Sequence, residues 1–416
     1  MERITKIVTS TNRKKGGHPR LAWVVFSGAD NVNHAIGLGT EYRRVLQSID
    51  QGIGKYVNTV TANGDPKQQQ RHTFAVVTDH GVASVDIPGG GNLDLCDAFK
   101  AINLRAWRGD SKTWSGKFDV PLDKFGSDKD VLIGVSGDMS ASVYVRDSLK
   151  GWKHRVYEQD LRSYPRSMGT NRSNAVDLIQ TVLDFRGVQL VAWSRENGIV
   201  AIQTRKSASS GTTSHDVIYS DVGVAKLEKD GKISYQVDDS ENKNALVICP
   251  LGYNKSLADG EPRTPREWLA STVDTSYPYA VVRLLQYFTV PGLAPDMLVT
   301  AHEGFDFGKD WEYYVQNFAG GHGGIHRSHL STPAIFSGAG VHAHSTVNSA
   351  TIEDLGASLR VFLGMGSKEA KPSLDFLDHK HDDIIATSLI HNNKTYAEDL
   401  IRGSPLSCVY PVGSQP

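Results

Sequence analysis

The stretch from Arg20 to Gly81 constrains the fold more than any other part of the chain. It opens with an unbroken apolar run of strand length, Leu21-Ala22-Trp23-Val24-Val25-Phe26. The run ends in Ser27-Gly28-Ala29-Asp30 and, four residues on, His34. Tyr42, Val45, Ile49, Ile53, Tyr56 and Val60 then recur at helical spacing, joined by Leu46 and Val57. Arg43, Arg44, Asp50 and Lys55 fall on the opposite face, so this is an amphipathic helix with one buried stripe. Asn63-Gly64-Asp65-Pro66 ends it with turn chemistry, and Thr73 to Thr78 is a second strand closing in Asp79-His80-Gly81. Strand, helix, strand in this order predicts a right-handed crossover within a parallel sheet. Both strands release an Asp and a His at their carboxyl ends, the edge where open α/β sheets place ligands.

The rest of the chain predicts an α/β fold, a mainly parallel sheet flanked by helices, with an inserted β-rich subdomain. Residues 1–19 form a polar lead-in, 20–130 the first part of the α/β core, and 131–245 an inserted α+β cap. Residues 246–366 close the core and 367–416 form a polar tail in which His379-Lys380-His381 faces solvent. Within the cap, Val131–Val135 and Val143–Val145 are short strands around Gly137-Asp138. Hairpins turn at Glu196-Asn197-Gly198 and at Asp230-Gly231. Ser173 to Phe185 reads as a helix capped by Ser173, and Ser207 to Ser214 is a turn-rich edge. Thr264-Pro265-Arg266-Glu267 is a capping box with proline at the first helical position. Val281–Phe288 is a helix, Met297–Ala301 a buried strand, Ala334–Ser337 another strand, and Thr351–Leu363 a closing amphipathic helix with Leu355, Leu359, Val361, Phe362 and Leu363 mostly inward. Pro88-Gly89-Gly90-Gly91-Asn92 lacks the lysine and hydroxyl of a phosphate-binding loop and reads as a plain turn.

Composition removes several functions. A formal net charge of -1 over 416 residues leaves no nucleic-acid footprint. The three cysteines, Cys96, Cys249 and Cys408, are too far apart for a thiolate zinc site or a disulfide framework. No apolar run reaches the ~18 residues of a membrane span, and the basic N-terminus lacks a signal-peptide core. A soluble, cytoplasmic protein is the default expectation, with export expected instead if an N-terminal part is missing.

Aspartate and histidine together are the donor set of zinc and similar borderline metals. Asp30 and His34, and Asp79 with His80, are therefore candidate metal ligands. Gly81 lets the backbone bend so that both members of the second pair serve one ion or two neighbouring ions. Two metals ~3.5–4 Å apart would clamp a phosphoryl group. The third cluster is Gly320-Gly321-His322-Gly323-Gly324-Ile325-His326-Arg327-Ser328-His329. Its glycines allow close approach of His322 to a metal. His326 and His329 are candidates either for supporting the metal ligands from behind or for contacts to substrate. Arg327 suits either a phosphate oxygen or a surface ion pair, and His302-Glu303 either a site contact or a strand cap.

The segment Phe26-Ser27-Gly28-Ala29-Asp30-Asn31-Val32-Asn33-His34, the helix carrying Glu41-Tyr42-Arg43-Arg44, and Val76-Val77-Thr78-Asp79-His80-Gly81 resemble the alkaline phosphatase superfamily. The resemblance is to its nucleotide pyrophosphatase/phosphodiesterase branch. Gly321-His322-Gly323, the strand Pro333-Ala334-Ile335-Phe336 and the helix Thr351-Ile352-Glu353-Asp354-Leu355 resemble the closing segment of that family. The resemblance covers residues 19–81 and 295–364 closely and the middle loosely.

What it implies is an alkaline phosphatase-like core and a two-zinc hydrolase of small-molecule phosphate esters, with Mn2+ as the alternative metal. Asp30, His34 and His322 would hold one ion, and Asp79 and His80 part of the other. In the family a further aspartate and a serine or threonine nucleophile lie far upstream. Here only 29 residues precede Asp30, and Thr9, Ser10 and Thr11 lack the expected context. No catalytic nucleophile is identified, so the chain is expected to be a fragment of a longer enzyme, to borrow that strand from another chain, or to be a metal-binding remnant. As written it is expected to bind one zinc firmly and a second poorly. Asn33 stands where the family has glycine. A sulfatase or phosphonate hydrolase of the same superfamily, and a catalytically inactive metal-binding module, are the alternatives.

Overall fold

The computed structural model of the chain describes residues 21–61, 72–108, 128–165, 175–206, 218–238, 248–289, 294–308, 318–342 and 344–363. The described residues up to Asp79 and from Ser331 onward form one unit, and those from His80 to Leu330 form a second. The closing tail and the serine-rich stretch Ser207 to Ser214 lie outside the described residues.

The second unit is built on a nine-stranded sheet. Its path runs Ile233–Asp238, Val222–Leu227, Ile199–Lys206, Val188–Ser194, Met297–Ala301, Ser140–Val145, Val131–Ser136 and Ala106–Arg108, and Ile218–Tyr219 adds to Ile199–Lys206. The fold is therefore mixed α/β, as its composition of elements predicts. The sheet itself is not mainly parallel, because only Ala106–Arg108 and Val131–Ser136 run the same way and every other pairing is antiparallel.

The central strands of this sheet are packed on both faces. Met297 and Val299 join one buried cluster with Val191, Trp193, Ala141 and Val143, under the helix Leu178–Asp184. Leu298 joins the opposite cluster with Leu190, Ala192 and Ile202, under the helices Pro265–Thr272 and Ala280–Thr289. Both faces of the central strands are covered, so these strands carry apolar residues on both faces and lose the alternation of a one-sided sheet. Continuous apolar strands are characteristic of parallel sheets for that same reason. Two-sided burial, not strand direction, is what the sequence pattern records.

Both hairpins form where their turn residues place them. Asn197 and Gly198 take φ of 63° and 71° between Val188–Ser194 and Ile199–Lys206. Val222–Leu227 pairs with Ile233–Asp238 across Gly231. The capping box also forms, with the Thr264 hydroxyl accepting from the Glu267 amide (3.2 Å) and the Glu267 carboxylate accepting from the Thr264 amide (2.7 Å). The helix expected from Ser173 instead begins at Leu178, capped by the Asp177 carboxylate, which accepts from the Gln180 amide. Ala175–Val176 ahead of it pairs with Tyr164–Pro165. The sheet passes without interruption from the strands of 131–238 into Met297–Ala301, across the boundary expected at 246.

In the first unit, the helix Thr40–Val60 forms as expected, but its stripe is only half-buried: Val60 alone of the stripe is buried and Leu46 is exposed. Thr73–Val77 pairs antiparallel with Ala334–Gly338 to make a two-stranded sheet. Phe336 meets Phe362 of the helix Ile352–Phe362 at 5.8 Å between ring centroids, and Tyr56 meets Phe74 edge to face at 6.3 Å. Two expectations fail here. Leu21–Phe26 is not a strand but an irregular, largely exposed segment without a ladder, so no crossover unit joins it to Thr73–Val77. In Ile352–Phe362 the fully buried positions are the polar Asp354 and Ser358, and Leu355 and Leu359 are half-buried.

Candidate metal centre

The ligand candidates are distributed over both units. In the first, Asp30 and His34 do not sit on a post-strand turn. They lie one turn apart on the helix Gly28–Ile36, with His34 Nε2 3.4 Å from Asp30 Oδ1. Residues four apart on a helix share a face, so the pair presents a carboxylate and an imidazole together. His34 is buried and Asp30 half-exposed. Asn33 between them is fully buried, and among the described residues neither atom of its amide has a hydrogen-bond partner. Asp79 is exposed and joins no group of three candidate ligands among the described residues.

In the second unit the geometry is tighter. Ala83–Ser84 pairs with Gly320–Gly321, placing His322 one residue beyond the ladder. The Gly81 amide donates to the His329 carbonyl (2.7 Å), which pins the segment carrying His80 to the same loop. As a result the imidazoles of His80 and His322 stack, with centroids 3.6 Å apart and planes 11° from parallel. His80 Nδ1 lies 3.1 Å from the Gly81 carbonyl. A carbonyl only accepts, so that contact places the ring proton on Nδ1 and the lone pair on Nε2, the arrangement of a metal-ligating histidine.

His322 is held from its other side by a residue that sequence reading treated only as a turn. Gly137-Asp138 forms the tip between Val131–Ser136 and Ser140–Val145, both residues at positive φ (59° and 70°). The His322 amide donates to the Gly137 carbonyl (2.9 Å), and the Met139 amide donates to the His322 carbonyl (3.0 Å). A carboxylate oxygen of Asp138 lies within 4.8 Å of an imidazole nitrogen of His322. The signal available in the sequence was the acid at the turn. Asparagine or glycine would serve the backbone equally well there, so the acid is what stands out.

The remaining candidates divide. The His326 Nδ1 and the Ser328 hydroxyl both sit 3.0 Å from Glu303 Oε1, and 3.0 Å from each other. Serine and glutamate therefore meet the same ring nitrogen, which excludes a relay of the Ser-His-acid kind, where the two use opposite nitrogens. His302 contacts its neighbour's carbonyl through Nδ1 (2.9 Å) and is half-buried, as a strand-end residue. Arg327 takes the surface alternative, with a guanidinium nitrogen 3.4 Å from Asp274 Oδ1. His329 is almost fully buried, and burial, reinforced by His326, lowers its pKa to about 4. It is a neutral imidazole at physiological pH and does not face solvent.

Comparison of the chain with protein-family models, with curated proteins and with solved structures gave no match. Among the described residues no helix is long and apolar enough to cross a membrane.

Proposed function

We propose that the chain is a metal-dependent hydrolase of phosphate esters, of phosphodiesterase/pyrophosphatase or phosphatase type, with zinc as the favoured ion and Mn2+ as its substitute. The observation that carries this reading is the stacked pair His80 and His322, with the ring proton of His80 on Nδ1 against the Gly81 carbonyl. Clustered imidazoles with carboxylates are suited to zinc in a way that a calcium or magnesium site, built from oxygen, is not. A bound zinc would supply Lewis acidity and bring the pKa of a coordinated water towards about 7. The chain's own residues would orient the ester. His326, tied to Glu303, would contact the ester, and the buried His329 would support that loop from behind.

The alkaline phosphatase-like core and the assignment of Asp79 to metal rest on the sequence motifs alone, whereas Asp30 and His34 also share one helix face. The test is metal content of the purified chain together with turnover of bis-p-nitrophenyl phosphate in added zinc. His322→Ala and His80→Ala are each expected to lose at least tenfold in zinc affinity, since a ligand imidazole is removed, and to lose turnover with it. Full turnover in either variant would remove the proposed centre. Stoichiometric zinc with no turnover of mono- or diesters would leave a metal-stabilised binding module.

A further inference from the structure

We propose that Asp138 is a metal ligand, so that the second unit offers a divalent borderline cation the carboxylate of Asp138 and the imidazole of His322, with His80 stacked alongside. This extends the reading above through its metal part only and does not depend on hydrolysis.

Three observations support the assignment. First, Asp138 is only 5% exposed. Desolvating a carboxylate is costly, and a cation brought to it would offset that cost. Second, the main chain locks Asp138 against His322 from both directions. The two residues form an isolated parallel bridge, and the Phe307 amide donates to the Asp138 carbonyl (2.7 Å). The approach requires glycine on both chains. A Cβ on Gly323 would lie 2.5 Å from the Ser136 carbonyl oxygen, and one on Gly137 would lie 2.7 Å from His322 Nδ1. Third, the ligand atoms of Asp138 and His322 are within 4.8 Å of each other. Two ligands at tetrahedral angles on zinc, with bonds of 2.0–2.2 Å, sit about 3.4 Å apart. A small side-chain adjustment therefore closes the pair on an ion. Both residues stand on a hairpin of the central sheet and its hydrogen-bonded neighbour, a rigid mounting of the kind that gives a metal site its affinity.

Asp138→Asn is the informative variant. Asparagine keeps the side-chain volume and tolerates the left-handed backbone, and it removes only the charged ligand oxygen. In the full-length chain, stripped with chelator and titrated with Zn2+ and with Co2+, the variant is expected to bind at least tenfold more weakly. Its urea unfolding midpoint without metal is expected to match wild type. The visible d–d absorption of the Co2+ form is expected to change in position or intensity, because an inner ligand has been exchanged. Asp138→Gly, which also suits the backbone at φ 70°, is expected to repeat the affinity loss and covers the case of an asparagine variant that fails to fold.

Wild-type Zn2+ affinity in both variants, with His322→Ala deficient, would overturn the role of Asp138 while leaving the metal centre in place. An unchanged Co2+ spectrum at reduced affinity would likewise overturn ligation. Loss of Zn2+ in the variants of a chain that never turns over phosphate esters would support this proposal and sink the hydrolase reading. A wild-type chain that takes up neither ion would overturn both.

Discussion

Leu21–Phe26 and Val188–Ser194 are apolar runs of similar length and composition with opposite fates. The second lies at the centre of the nine-stranded sheet, buried on both faces, with Trp193 fully covered. The first pairs with nothing regular, and Leu21, Trp23 and Val25 are 50%, 67% and 74% exposed. The contrast extends to the units that hold them. In the second, Phe99, Trp193, Trp268, Phe307 and dozens of aliphatic side chains are excluded from solvent. In the first, the buried described side chains are Val60 and a polar set of Asn33, His34, Thr61, Asp354 and Ser358. A run of strand formers becomes a strand only where neighbouring edges offer hydrogen bonds and a second layer covers its face. The second unit supplies both.

The comparison can be broken most forcefully at the two tryptophans. Trp193→Ala is expected to lower unfolding free energy by about 3–5 kcal/mol, through lost burial and the cavity left behind. Trp23→Ala is expected to stay within about 0.5 kcal/mol, as for an exposed side chain. Urea unfolding followed by far-ultraviolet circular dichroism reads both, and equal losses would show that the first apolar run is packed after all.

A smaller, pH-dependent effect belongs to the second unit alone. His329 has its pKa lowered from 6.5 to about 4, chiefly by burial. A depressed histidine contributes stability that is complete above its unfolded pKa and is lost as pH falls towards the folded one. Between pH 7 and pH 5 that loss is about 2 kcal/mol. His329→Gln, which does not titrate, is expected to show a correspondingly flatter dependence of the urea midpoint over the same window. Parallel profiles for the two proteins would remove His329 as the cause.

The smallest effect tests the polar character of the first unit. Asp354 accepts from the Thr351 amide (2.8 Å) and hydroxyl (3.2 Å) at the start of Ile352–Phe362. Asp354→Ala is expected to cost about 1 kcal/mol, the ordinary worth of a helix-terminal carboxylate cap. It is to be read as a change in helical circular dichroism at low urea, ahead of the main transition. No early change would place that helix within the same cooperative transition as the large sheet.

Much of the local structure was legible from residue order. The helix Thr40–Val60, the turns at Asn197-Gly198 and Gly231, the capping box at Thr264 and the buried strand Met297–Ala301 each depend on residues a few positions apart. Strand direction was not legible, because burial on both faces erases the alternation that separates antiparallel from parallel strands. The helix expected from Ser173 moved to Leu178 because Asp177, four residues further on, caps it through its own carboxylate. At the candidate site, glycines flanking His322 marked a close approach without saying what approached. That partner proved to be Gly137-Asp138, a turn far away in sequence. His326 and His329 were read alike, yet burial made one a half-covered partner of Glu303 and the other a neutral interior ring.

By itself the sequence determined where helices, turns and caps arise, since those rest on hydrogen bonds and side-chain contacts within about one turn of the chain. It also determined which residue types are available to a metal. Only the tertiary structure decided which apolar runs acquire neighbours, which way they lie, and which acid is brought against His322. Those outcomes depend on non-local pairing, where a strand's register and the layers on its two faces are set by segments far away in the chain.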